Sequence, residues 1–123
     1  MKVLVVEDDR LFSEIYAAKF SEEGFDVRLA GDGEDGWNKL HEDRPDVLLL
    51  DLVLPKITGL ELLAKLRSHD DPVLRDLPVI IVTNLNQDAF AEEIRSRGVH
   101  AYFLKSDVIF SQVLEKVREL TRR

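Results

Sequence analysis

The chain contains no cysteine. Disulfides, thiolate metal sites and cysteine nucleophiles are therefore excluded, and any chemistry must use oxygen and nitrogen. No apolar stretch approaches the roughly 20 residues that a membrane helix needs, and the N-terminus runs directly into a strand-like segment without a basic region and apolar leader. A cytoplasmic protein with no membrane insertion is the expectation. Excess positive charge is also missing: 17 Lys and Arg against 24 Asp and Glu leave a formal net charge of -7. Nucleic-acid backbones are held by clustered Lys and Arg, so direct nucleic-acid binding is not expected. Arg118, Arg122 and Arg123 read as helix-end charges that complement the helix dipole.

Linkers, internal repeats, low-complexity tracts and heptad series are absent as well. With 123 residues, 45% hydrophobic and 33% charged, the chain suits one globular domain, residues 1–123, able to bury its own core. No DNA-binding or catalytic segment follows the last helical pattern within these residues, so output is expected to pass through a separate protein unless the chain is cut from a longer one.

What is present is alternation. Apolar runs suited to buried strands occur at Val3 to Val6, Val27 to Ala30, Val47 to Leu50, Val79 to Val82 and Tyr102 to Leu104. Between them lie segments of helical spacing: Leu11, Ile15 and Ala18 with Phe12 and Phe20; Trp37 and Leu40; Leu60, Leu63, Ala64 and Leu66; Phe90 and Ile94; Val113, Leu114, Val117 and Leu120. Gly24 and Gly98 stand where helices stop, Asp32-Gly33 opens a helix, and Pro45 and Pro78 precede strands. The stretch from Ser68 to Leu77 reads as a longer connecting loop. Alternating strand and helix predicts parallel strands joined by right-handed crossovers with helices on both faces, an α/β fold with a doubly wound five-stranded parallel sheet.

Four strand ends then converge on one rim. Glu7, Asp8 and Asp9 follow the first strand, Asp51 the third, Thr83-Asn84 the fourth and Lys105 the fifth. Open α/β sheets bind ligands at this edge. Like charges about 4 Å apart repel by roughly 1 kcal/mol in water and about 4 kcal/mol at an effective dielectric near 20, so clustered carboxylates call for a cation. Mg²⁺ takes oxygen ligands, typically one or two carboxylates completed by water and phosphate, and Asp8 and Asp51 supply that kind of donor. Lys105 offers a mobile positive charge and Thr83 a hydroxyl donor for phosphoryl oxygens. A carboxylate flanked by a metal and a lysine is a candidate phosphoryl acceptor, so Asp51 is the expected nucleophile of an in-line transfer.

At these residues the sequence resembles the receiver domain of two-component response regulators, over essentially its whole length. The family's opening motif matches Val-Val-Glu7-Asp8, and its acceptor motif matches Leu50-Asp51-Leu-Val-Leu-Pro55 with Gly59 three residues after Lys56. Its strand-end hydroxyl falls on Thr83, its switch aromatic on Tyr102 and its lysine on Lys105. The resemblance implies strand order 2-1-3-4-5 in a flavodoxin-like (βα)5 arrangement. It implies Asp51 as phosphoacceptor, with Mg²⁺ held by Glu7, Asp8, Asp51 and the backbone carbonyl of Val53. It further implies a histidine kinase or histidine phosphotransfer protein as donor, and self-promoted phosphorylation and slow hydrolysis rather than turnover of an external substrate. Thr83 and Tyr102 would form the switch, read by an effector on the face of the fourth helix, fifth strand and fifth helix of that arrangement, in a monomer or a phosphorylation-dependent dimer.

Two positions depart from the family pattern. Ser106 follows Lys105 where the family usually has proline after a cis bond, and Asn84 follows Thr83 where a small residue is common. Simpler readings stand beside the functional ones. Asp9 caps or begins the first helix. Tyr102 alone is an ordinary strand aromatic, and Trp37 a core or partly covered helix residue. Phe90 fits either core or partner surface. His41, His69 and His100 show no ligand spacing and take no catalytic role. Competing functions are a non-phosphorylated interaction module, a small Mg²⁺-dependent phosphatase, which would want an acid where Val53 stands, and a dinucleotide binder, for which Glu7-Asp8-Asp9 replaces the glycine-rich loop.

Overall fold

The computed structural model describes residues 1–86 and 91–122. Strands β1 (Lys2–Val6), β2 (Asp26–Ala30), β3 (Val47–Leu50), β4 (Val79–Thr83) and β5 (Ala101–Leu104) pair in parallel in the order β2-β1-β3-β4-β5. The helices are α1 (Arg10–Glu22), α2 (Gly33–Glu42), α3 (Gly59–Arg67), α4 (Pro72–Arg75), α5 (Ala91–Ser96) and α6 (Phe110–Thr121). Phe90 and Arg123, which the sequence places in or after helices, lie outside the described residues.

Because side chains alternate along a strand, the central strands feed two cores. Leu4, Val6, Leu48, Leu50, Val79 and Ile81 pack with residues of α2 to α5, among them Leu40, Leu62, Leu66, Leu74 and Ile94. Val3, Val5, Val47, Leu49, Ile80 and Val82 pack with Tyr16 and Phe20 of α1 and Val113 and Val117 of α6. β1, β3 and β4 are covered on both faces, which is why they read as unbroken apolar runs rather than alternating ones. Helix ends follow local chemistry. Asp9 caps α1 through the Phe12 amide, Asp32 caps α2 through Asp35, and Gly24 and Gly98 adopt φ of +88° and +69° just past α1 and α5.

Two expectations need correction. The loop from Ser68 to Leu77 contains the one-turn α4, started by Asp71, whose carboxylate accepts from Val73, with Pro72 in the first turn. The Leu11, Ile15 and Ala18 spacing does not mark the buried side of α1, since Leu11 is 69% and Ile15 44% exposed while Ser13, Tyr16 and Phe20 are buried. The aromatic side chains bury more area than the aliphatic ones, and they set the rotation of the helix.

Candidate functional site

The sheet order reverses between β1 and β3, so the connections leaving these strands diverge and open a crevice at their carboxyl ends. Register fills that crevice. Val6 pairs with Leu50 and the Asp51 amide donates to the Val6 carbonyl at 3.0 Å, which sets Glu7 and Asp51 side by side. Thr83 pairs with Leu104, so Lys105 leaves β5 beside the threonine hydroxyl. The β3–α3 turn is fixed equally tightly. The Gly59 amide donates to the Leu52 carbonyl at 3.1 Å, and a Cβ at Gly59 would lie 2.2 Å from the Asp51 carbonyl oxygen. Only glycine fits there, so α3 begins directly against the backbone of Asp51.

Asp51 is 5% exposed and Glu7 3%. The Asp51 carboxylate accepts from three groups: Oδ1 from the Thr83 hydroxyl at 2.5 Å and the Val53 amide at 3.0 Å, and Oδ2 from Lys105 Nζ at 2.9 Å. Lys105 Nζ also reaches Glu7 Oε2 at 2.6 Å, while Glu7 Oε1 accepts from the Asp9 amide at 2.9 Å. Burial pushes the Glu7 carboxyl up from 4.5 to about 7, against the lowering pull of its bonds from Lys105 and the Asp9 amide, and the Asp51 charge pushes it further up. The Lys105 ammonium lies above its usual range because hydrogen bonds to Glu7 and Asp51 outweigh the cost of its burial.

The cluster suits a hard cation. Glu7, Asp8 and Asp51 each offer a carboxylate oxygen, these atoms lie within 4.8 Å of one another, and Asp8 is exposed while the other two acids are buried. An all-oxygen donor set with one side open to solvent matches the demand of Mg²⁺ for few protein ligands and retained waters.

The structure thus brings Glu7, Asp8, Asp51, Thr83 and Lys105 together, with the Val53 backbone alongside. Asp9 belongs to the helix cap. Tyr102 is half-buried on β5, and its hydroxyl donates to the Leu85 carbonyl in the segment after β4 rather than to Thr83. Asn84 is exposed, and every peptide bond among the described residues is trans, that of Lys105-Ser106 included.

Three contacts escape sequence spacing. The Lys105 ammonium sits 4.8 Å above the centre of the Phe12 ring. Lys56, at φ +68° in the turn between β3 and α3, pairs with Asp32 at 3.5 Å. His41 and His69, although 28 positions apart, meet through their Nε2 atoms at 2.9 Å. The histidines lie at the ends of α2 and α3, the opposite edge of the sheet from Asp51, so the contact gives them no part in this site. Helical pattern alone places Phe12 on the first turn of α1, but only the register of β5 brings Lys105 over it.

Comparison with known proteins agrees with this geometry. The family model described as response regulator receiver domain matches residues 3–118. Response regulator MprA of Mycobacterium avium (strain 104) is 35% identical over 124 residues, covering 100% of this chain and 52% of that protein. The chain spans about half the length of the curated relatives it matches. Among solved structures, the receiver domain of Francisella response regulator 1452 is 28% identical with a TM-score of 0.85, covering 97% of this chain and 94% of that one. A CheY-like receiver domain protein from Methanospirillum hungatei JF-1 is 28% identical with a TM-score of 0.86, covering 96% and 90%. With its parallel sheet in the order 2-1-3-4-5 and its acids, hydroxyl and lysine gathered at the strand ends, the chain belongs to the response regulator receiver domain family.

Proposed function

We propose that residues 1–123 form a single receiver domain that acts as a phosphoacceptor switch, taking a phosphoryl group on Asp51 from a histidine kinase or histidine phosphotransfer protein. The observation that carries this reading is the environment of one carboxylate: Asp51 is buried, and Thr83, Val53 and Lys105 all donate to it beside the further acids Glu7 and Asp8. Glu7, Asp8, Asp51 and the Val53 carbonyl would hold Mg²⁺, which when bound neutralises charge on the phosphoryl oxygens.

The chain's own part is placement and electrostatics. An Asp51 oxygen forms the new O–P bond while the P–N bond to the donor imidazole breaks, and that electron pair stays on the nitrogen. Thr83 and Lys105 already donate to the acceptor carboxylate, so each moves only a short way to meet phosphoryl oxygens. No external substrate turns over, and Val53 stands where a phosphatase of related chemistry would want an acid.

A phosphoryl group brings about 1.5 to 2 negative charges at neutral pH, which draw the Thr83 hydroxyl and Lys105 inward. Tyr102 must then break its bond to the Leu85 carbonyl to follow. Next to it a cavity of about 400 Å³, lined by Tyr102, Phe103, Asp107, Val108 and Gln112, opens between β5 and α6. An effector would read this face, formed by α5, β5 and α6, in a cytoplasmic protein that is a monomer or dimerises on phosphorylation. The switch shifts the balance of two states by its difference in interaction with each. Labelling by acetyl phosphate in Mg²⁺ tests the proposal. Wild type is expected to take up label and Asp51→Asn to take up none; undiminished labelling of the variant would overturn the assignment.

A further inference from the structure

We infer that Phe12 is a positioning residue for Lys105 in phosphoryl transfer, an inference that rests on the function proposed above. The ammonium lies in a three-sided cage: Glu7 Oε2 at 2.6 Å, Asp51 Oδ2 at 2.9 Å and the Phe12 ring with its centre at 4.8 Å. The first two sides change during function. A cation on Glu7 and Asp51 competes with the lysine for their oxygens, and a phosphoryl group alters Asp51 itself. The aromatic face is the side that remains. It attracts the charge through its quadrupole and takes none of the three N–H donors, so those donors can turn from carboxylate to phosphoryl oxygen while the head stays over the acceptor. Without such a face a four-carbon lysine stem has many rotamers to explore.

The ring is built as a fixed platform. Phe12 stacks on Tyr16 with centres 4.2 Å apart and planes at 25°. Tyr16 is buried and meets Phe110, the first residue of α6, edge to face at 5.3 Å, and Phe20 at 6.2 Å. The backbone is held too. Asp9 Oδ1 accepts from the Phe12 amide at 3.2 Å, and the Asp9 amide donates to Glu7 Oε1 at 2.9 Å. Glu7, Asp9, Phe12 and Lys105 therefore close a ring of contacts in which the helix cap sets the height of the aromatic face under the lysine.

Two measurements test this. In the metal-free protein the ε-methylene protons of Lys105, lying over a ring, are expected upfield of an unconstrained lysine by NMR; Phe12→Leu should remove that shift and Phe12→Tyr should keep it. With acetyl phosphate and Mg²⁺, Phe12→Leu should label about fivefold more slowly than wild type, the rate equivalent of about 1 kcal/mol of cation–aromatic attraction, and Phe12→Tyr should label at close to the wild-type rate. A merely structural ring would shift the Lys105 protons all the same, but would let the labelling rates of the two variants follow their unfolding midpoints. Unshifted Lys105 protons in wild type, Phe12→Leu labelling at the wild-type rate, or Phe12→Tyr labelling as slowly as Phe12→Leu would each overturn the inference. Should Phe12→Leu not fold, the wild-type shift and Phe12→Tyr decide it. Wild type that takes no label at all strikes the proposed function itself, whereas labelled wild type with an unaffected Phe12→Leu strikes only the role of Phe12.

Discussion

Metal-free protein should lose stability as pH rises through neutrality, and Glu7 should be the cause. Its carboxyl titrates at about 7 in the folded chain against 4.5 for the free group, chiefly because it is buried. Between those values the folded state holds a proton that the unfolded state has released, so unfolding releases a proton and is favoured as pH climbs. At about 1.4 kcal/mol per unit this amounts to roughly 3 kcal/mol by pH 8, a large part of a small domain's 5–15 kcal/mol. Below pH 4.5 both states are protonated and the effect vanishes. Other groups run against it. His100 lies below its usual range, first through burial and then through the nearby Arg67 and Lys116 charges, so its contribution rises as pH rises. Glu7→Gln separates the two, since it leaves His100 in place. Losing the contact with Lys105 shifts that variant's stability without reproducing the slope. Urea unfolding followed by far-ultraviolet circular dichroism at pH 5 to 8 in chelator should show wild type falling relative to Glu7→Gln by about 2.5 kcal/mol, the remainder being lost below pH 5. Saturating Mg²⁺ should reverse the fall by binding the ionised folded form. Parallel profiles for the two proteins would refute the reasoning.

Asp8→Asn should weaken Mg²⁺ binding, measured by titration calorimetry, while raising metal-free stability because one like charge leaves the cluster; unchanged affinity would count against Asp8 as a ligand. Gly59→Ala should lower unfolding stability by about 3 kcal/mol, because the added Cβ meets backbone at Asp51 and Leu52 rather than side chains that can turn aside. Tyr102→Phe removes the bond to the Leu85 carbonyl and should cost about 1 kcal/mol in urea unfolding, leaving the rate of labelling by acetyl phosphate unchanged.

The sheet was legible in the sequence because β1, β3 and β4 are buried on both faces and leave apolar runs bounded by turn residues. That Glu7, Asp8, Asp51, Thr83 and Lys105 would be gathered at one edge was legible for the same reason, since each stands at or just beyond the end of such a run. What spacing could not show depends on contacts between distant elements. The rotation of α1 was decided by which residues met α6, so Leu11 and Ile15 point outward although their period is helical. The short α4 rests on one proline and one cap, too few residues to leave a periodic signature. Phe12 under Lys105 and the His41–His69 contact both join residues brought together only by the fold.

Borohydride reduction of the acetyl phosphate-treated protein, followed by peptide mass spectrometry, tests the central claim most directly, because it converts an aspartyl phosphate to homoserine at the residue that carried it. Conversion at position 51, dependent on Mg²⁺, is the predicted result. Conversion at Asp8, at Asp9 or at no aspartate would contradict the account.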